Sequence, residues 1–167
     1  DAGNDVLLWG RSKDVIAEIN SAHTNKKYLG KHELPLSLQA TTDLAQAFAH
    51  SHIYVLAIPA QQLRLTLEEW KPFFSTDSII VSTLKGIEIS TQMRMTEVIQ
   101  DVLGPRPIAI ITGPNLADEL VLRQPAGAVA AAATQELADQ MRDLFRTPYY
   151  RVYTSVDVMG CELAGAI

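Results

Sequence analysis

Cysteine is nearly absent. Cys161 stands alone among 167 residues, which excludes an internal disulfide framework and fits a reducing compartment. It lies in an apolar run, so a small core residue is expected there rather than a nucleophile. Long hydrophobic runs are missing too, and no stretch is long and apolar enough to cross a membrane as a helix. The opening Asp1-Ala2-Gly3-Asn4-Asp5 has neither a signal-peptide pattern nor an initiator methionine, so the chain is expected to start inside something larger. A cytoplasmic location is the expectation. Positive charge is in deficit: 14 Lys and Arg against 19 Asp and Glu leave a net charge of −5. That argues against nucleic acid as a main partner. Local lysines, arginines and helix N-termini still allow small anions.

Catalytic templates are equally scarce. The chain contains no G-x-G-x-x-G, no P-loop, no G-x-S-x-G elbow and no H-E-x-x-H. From residue chemistry alone, phosphate binding is unsupported. His50 and His52 are two apart with no third ligand nearby in sequence, so solvated histidines are expected and no metal. Glu68-Glu69 beside Trp70 reads as a solvated helix face.

What is present is a globular pattern. Hydrophobic residues make up 47% and charged residues 20%, enough for one domain with a sizeable core. Val6-Leu7-Leu8-Trp9 reads as a strand ending at Gly10-Arg11. Ser12 then caps a helix carrying Val15, Ile16 and Ile19. Residues 21–37 read as a long polar loop. Thr42-Asp43 opens a short helix, and Ile53 to Ile58 is a buried strand stopped by Pro59. Gln61 to Lys71 is helical and ends at Pro72. Ser78 to Val81 is a strand. A helix capped by Ser90 or Thr91 follows and stops at Gly104-Pro105. Ile108 to Ile111, Gly127 to Ala133 and Arg151 to Thr154 complete the strands. Helices are expected over Asn115 to Leu122, after Thr134, and from Ser155 or Asp157 onward.

Strands and helices alternate, and the strands are continuously apolar. That pattern predicts an α/β fold: a doubly wound, Rossmann-like, mostly parallel sheet with helices on both faces. There is no internal repeat, low-complexity segment or linker. The stretch of greatest chemical interest is Ser82-Thr83-Leu84-Lys85-Gly86. It places one lysine at the carboxyl end of a parallel strand, the edge where open α/β sheets bind ligands. Most loop lysines are simply solvated. A cation among small neighbours at that edge also suits an anionic substrate.

Several blocks, taken in order, resemble the bacterial-type NAD(P)-dependent glycerol-3-phosphate dehydrogenases. They are Leu8-Trp9-Gly10-Arg11, NKKYL from Asn25 to Leu29, VLAIPA from Val55 to Ala60, and STLKG from Ser82 to Gly86. TGPNLA from Thr112 to Ala117, RVYTS from Arg151 to Ser155 and GCELAGAI from Gly160 to Ile167 follow. The resemblance covers essentially the whole chain. It implies interconversion of glycerol 3-phosphate and dihydroxyacetone phosphate with NAD or NADP, a supply of phospholipid precursor, and a homodimer as the assembled state. It also implies that residues 1–167 are an incomplete NAD(P)-binding domain. The family's first strand and glycine-rich loop are missing before Asp1. The catalytic lysine and the helical substrate domain are missing after Ile167.

The resemblance also implies roles. Lys85 is the catalytic cation and contacts both substrate and cofactor. Gly113 and Asn115 form the substrate turn, although many members carry Ser or Thr where Asn115 stands. Arg11 meets the adenosine side and accommodates a 2′-phosphate; a surface turn arginine is the alternative. Tyr28 lies near the cofactor or only packs its loop. Pro59, with Ala60, shapes the nicotinamide side or simply stops a strand. Ala117 contacts the cofactor at a helix start. Glu162 is expected to orient the last helix rather than act as an acid. Two other readings stay open: a related reductase of the 6-phosphogluconate or ketopantoate type, and a non-catalytic module that binds a nucleotide or a partner.

Overall fold

A computed structural model describes residues 2–166. Asp1 and Ile167, the ends of the first and last segments read above, lie outside the described residues. The strands are β1 (Leu7–Trp9), β2 (Gln39–Thr41), β3 (Ile53–Leu56), β4 (Ile79–Ser82), β5 (Ile108–Thr112), β6 (Ala126–Ala132) and β7 (Tyr150–Ser155). The helices are α1 (Lys13–Ala22), α2 (Lys26–Leu29), α3 (Leu44–His50), α4 (Leu63–Trp70), α5 (Met95–Leu103), α6 (Ala117–Val121), α7 (Gln135–Phe145) and α8 (Val158–Ala166). Among the described residues no helix is long and apolar enough to cross a membrane.

The sheet comes in two pieces. β1 pairs in parallel with β2, and a five-stranded sheet runs β3-β4-β5-β6-β7. β1 and β3 do not pair with each other, so among the described residues each keeps one edge without a strand. Side chains rather than backbone join the two pieces. Trp9 meets Trp70 edge-on at 4.9 Å between ring centroids, and Phe48 of α3 packs on Tyr54, Trp70 and Phe74.

Alternation along the central strands sends neighbours to opposite faces. Ile80 joins Leu63, Leu67, Val98 and Ile99 under α4 and α5, whereas Val81, Ala109 and Ile111 join Ala138 and Met141 under α7. Helices therefore cover both faces, as predicted. Leu63, Leu67, Val98 and Ile99 are fully buried, each contributing on the order of 1.5–3 kcal/mol. Ser12, Asp43 and Thr134 cap α1, α3 and α7 by accepting backbone N–H groups through their side chains.

Four details go beyond or against expectation. First, within the mostly parallel sheet, β6 runs antiparallel to β5. Only the five-residue α6 lies between them, too short to carry the chain back across the sheet for a parallel return. Second, the helix after Lys85 starts at Met95 with Arg94 as N-cap, not at Ser90 or Thr91. Residues 87–94 instead fold back on themselves: Ile87 bridges Arg94, Glu88 N–H donates to Met93 O, and Gln92 takes φ 60°. Third, the 21–37 loop holds α2 and a Thr24–Glu33 bridge, and β2 follows it. Asn20 stabilises β2 by bonding both backbone groups of Ala40 at 2.8 Å. Fourth, Cys161 is only half-buried.

Candidate active site at the carboxyl edge of the central sheet

The register aligns Leu56, Ser82 and Ile110 in one row across β3, β4 and β5. The three strands are parallel, so the segments that follow them leave from one edge. These segments carry Pro59 and Ala60, Lys85 and Gly86, and Gly113 and Asn115. Thr83 fastens the first two together. Its backbone N–H and its hydroxyl both donate to Leu56 O, at 3.1 and 2.9 Å.

Lys85 is exposed, and its Nζ donates to Gly113 O at 2.8 Å. The same carbonyl accepts the Asn115 N–H at 2.9 Å. The residues expected to bind substrate thus share one oxygen atom. Gly113 is required there by space. A Cβ would lie 2.6 Å from Gly127 O and 3.0 Å from Ala128 Cα, because antiparallel β6 passes directly beside the end of β5.

Asn115 is half-buried. Its Nδ2 donates to Tyr150 Oη at 3.1 Å, while its Oδ1 is buried without a hydrogen-bond partner. Buried acceptors are ordinarily satisfied, so this orphan marks a place for a donor. Burial pushes the Tyr150 phenol up from its ordinary pKa, and the bond from Asn115 partly opposes this. Tyr150 therefore stays a neutral hydroxyl that fixes the Asn115 amide.

The remaining predicted residues are less tightly gathered. Gly86, at φ 127°, turns so that an added Cβ would sit 3.5 Å from Ala60 Cβ, which places the lysine loop against the Pro59–Ala60 turn. Ala117 is exposed at the first position of α6. Tyr28 is 64% exposed on α2, with Lys27 Nζ 5.0 Å over its ring, and α2 packs against α6. Arg11 is exposed just beyond β1. No hydrogen bond or ion pair among the described residues links it to the others. A cavity of about 460 Å³, lined by Asn20, His23, Gln39 and Gln46 among others, lies against β1 and β2. It contains none of the predicted residues.

Glu162 does orient the last helix. Its carboxylate accepts Thr96 N–H at 2.9 Å, Thr96 Oγ1 at 2.6 Å and Arg94 Nη1 at 2.6 Å, which docks α8 on the N-terminus of α5. At the other end of α8, Gly165 packs so closely on Thr112 that a Cβ would meet Oγ1 at 2.4 Å. The last helix is thus held against Thr112, at the start of the Gly113–Asn115 turn. Among the described residues no group of three His, Cys, Asp or Glu side chains could hold a metal.

Sequence reasoning missed Tyr150, Gln61, Arg64 and Glu88. For Tyr150 the missed signal is period-2 alternation into Val152, which points it inward. The other three give no local signal, because their partners are far away in the chain.

Residues 1–138 match the family described as the N-terminus of NAD-dependent glycerol-3-phosphate dehydrogenase. A glycerol-3-phosphate dehydrogenase [NAD(P)+] from Streptomyces avermitilis is 47% identical over all of this chain and 50% of its own length. One from Corynebacterium diphtheriae is 45% identical over 99% of this chain and 51% of its own length. The chain thus spans about half the length of the curated relatives it matches. The crystal structure of glycerol-3-phosphate dehydrogenase from Coxiella burnetii superposes with TM-score 0.90 at 26% identity, covering 98% of this chain and 50% of that one. With the family's blocks in order and its fold reproduced, the chain belongs to the NAD-dependent glycerol-3-phosphate dehydrogenases, whose N-terminal part it matches.

Proposed function

We propose that the full-length protein interconverts glycerol 3-phosphate and dihydroxyacetone phosphate with NAD or NADP. Residues 1–167 contribute an incomplete NAD(P)-binding domain, and a further helical domain completes the substrate site. The observation that carries this reading is Lys85 aimed across the carboxyl edge at the Gly113–Asn115 turn. The edge fits the nicotinamide and substrate half of the site: an exposed cation, an orphan buried acceptor on Asn115, and a glycine where β6 leaves no room for a side chain. It offers no glycine-rich turn for the pyrophosphate.

A nicotinamide held at this edge would supply or accept the hydride at C2 of the substrate. Lys85 swings from Gly113 O to the C2 oxygen and stabilises negative charge as it develops there. Asn115 Oδ1 accepts from a substrate hydroxyl, and its amide is held in orientation by Tyr150. Pro59, Ala60 and Ala117 line the cofactor side. Tyr28 borders it through α2, and Arg11 takes the adenosine end, where its guanidinium suits a 2′-phosphate. On this reading Arg11→Ala weakens NADP binding more than NAD binding. The hydroxyl proton goes to a general base outside these residues.

The setting we propose is cytoplasmic, with the product feeding phospholipid synthesis and the enzyme acting as a homodimer. The test is a substrate panel on the full-length protein, following NADH and NADPH oxidation. Activity with dihydroxyacetone phosphate is expected. Turnover confined to 6-phosphogluconate or ketopantoate would overturn the reading.

A further inference from the structure

The loop after Lys85 is fastened in an unusual way. Gln61, in the 3-10 turn that follows Pro59, uses both ends of its amide on that loop. Nε2 donates to Ile87 O at 2.8 Å, and Oε1 accepts Ile89 N–H at 3.0 Å. One turn further on, Arg64 reaches the same loop from α4. Its Nε and Nη2 grip the Glu88 carboxylate at 3.0 Å, and its Nη1 holds Asp101 of α5 at 2.5 Å. Thr91 Oγ1 also donates to Glu88. Glu88 is the one buried charged residue among the described residues, 5% exposed. A buried carboxylate is tolerated only with such partners, and a forked guanidinium fixes its orientation as well as its charge.

These contacts serve no helix cap and fill no core position. They join two segments that the sheet alone would leave as independent loops. One carries Pro59 and Ala60, the other Lys85 and Gly86, and both leave the same edge of the sheet. Inside the second loop, Glu88 N–H to Met93 O and Gln92 N–H to Glu88 O close the fold-back, so the grip on residues 87–89 extends to the whole loop.

We propose that Gln61, Arg64 and Glu88 are positioning residues. They lock the lysine loop to the Pro59–Ala60 turn, so that Lys85 and the cofactor side of the site hold a fixed spacing. The lock stands on geometry alone; its kinetic consequence rests on the dehydrogenase reading above.

The test uses the full-length protein and Gln61→Ala, with Glu88→Gln as a second variant. Gln61 is exposed, so its truncation should leave Tm within about 2 °C. Two readouts are needed. In hydrogen exchange, amides of residues 87–92 should lose at least about tenfold protection in Gln61→Ala, a local opening, while those of β4 stay protected. In steady state, kcat with dihydroxyacetone phosphate should fall about tenfold or more, inside the ~10²-fold that a 1 Å misplacement costs. The KM for NADH should move less than about threefold, because uniform binding is kept. Glu88→Gln should show the same pattern wherever it folds. Unchanged exchange in the loop overturns the lock. Raised exchange with unchanged kcat in an active enzyme overturns the positioning role. A wild type inactive on dihydroxyacetone phosphate would instead overturn the dehydrogenase reading, and exchange alone would then decide the lock.

Discussion

At the scale of single residues, the site depends on one oxygen atom. Gly113 O accepts both Lys85 Nζ and Asn115 N–H, so the cation is parked beside the turn it is proposed to serve. In the full-length enzyme, Lys85→Ala is expected to lower kcat/KM for dihydroxyacetone phosphate by about two orders of magnitude, as loss of one preorganised charge contact does. Tm should barely move, because an exposed loop lysine carries little folding energy. Steady-state rates and a thermal melt check both, and a loss below about tenfold would refute the assignment. Gly113→Ala is the opposite kind of change. Its Cβ would lie 2.6 Å from a backbone carbonyl, and neither strand can yield cheaply. We expect a loss of about 1–3 kcal/mol of stability in a urea titration, together with weaker substrate binding.

At the scale of elements, α4, α5 and the fold-back between them are held by charge as well as by packing. The hydrogen bond from Arg64 holds the Glu88 carboxyl below its ordinary pKa, with Thr91 adding to the effect, and the carboxylates in turn raise Arg64. A depressed folded-state pKa stabilises the fold at pH values above the unfolded value, about 4.3 for Glu. That contribution is lost as pH falls through the depressed pKa. The Tm difference between wild type and Glu88→Gln should therefore be largest above about pH 5 and shrink progressively below about pH 4. A difference independent of pH would show that the ion pair contributes nothing. Glu97, lowered by its backbone and side-chain bonds to Arg94, titrates in the same direction and is present in both proteins, so it cancels in the comparison.

At the scale of the whole molecule, the sheet is the dominant fact. Its two pieces meet through Trp9, Phe48 and Trp70 rather than through a continuous ladder. Among the described residues, β1 and β3 each leave one row of backbone N–H and C=O groups without a strand partner, and such edges invite pairing with another chain. The sequence also contains no glycine-rich turn to cradle a pyrophosphate. The isolated 167-residue chain is therefore expected not to oxidise NADH with dihydroxyacetone phosphate. A rate that scales with chain concentration and vanishes in Lys85→Ala would contradict this. Light scattering should show association at concentrations where a protein with paired edges stays monomeric.

The sequence by itself determined whatever depends on near neighbours. Continuous runs such as Ile79-Ile80-Val81 and Ile108 to Ile111 are strands because β-branched residues buried on both faces suit nothing else so well. Ser12, Asp43 and Thr134 are caps because a short side-chain oxygen reaches an N–H two or three residues on. Lys85 at a strand's carboxyl end follows from the same local grammar, and with the ordered family blocks it marked half of the candidate site. Only the tertiary structure decided the rest. The direction of β6, the late start of α5 at Met95, the Asn115–Tyr150 bond and the grip of Gln61 and Arg64 on the lysine loop join residues about 17 to 35 positions apart or depend on such joins. Those contacts form because the sheet brings three strand ends to one edge. No window of sequence contains both partners, so the pairing energy that selects them cannot be read from either segment alone.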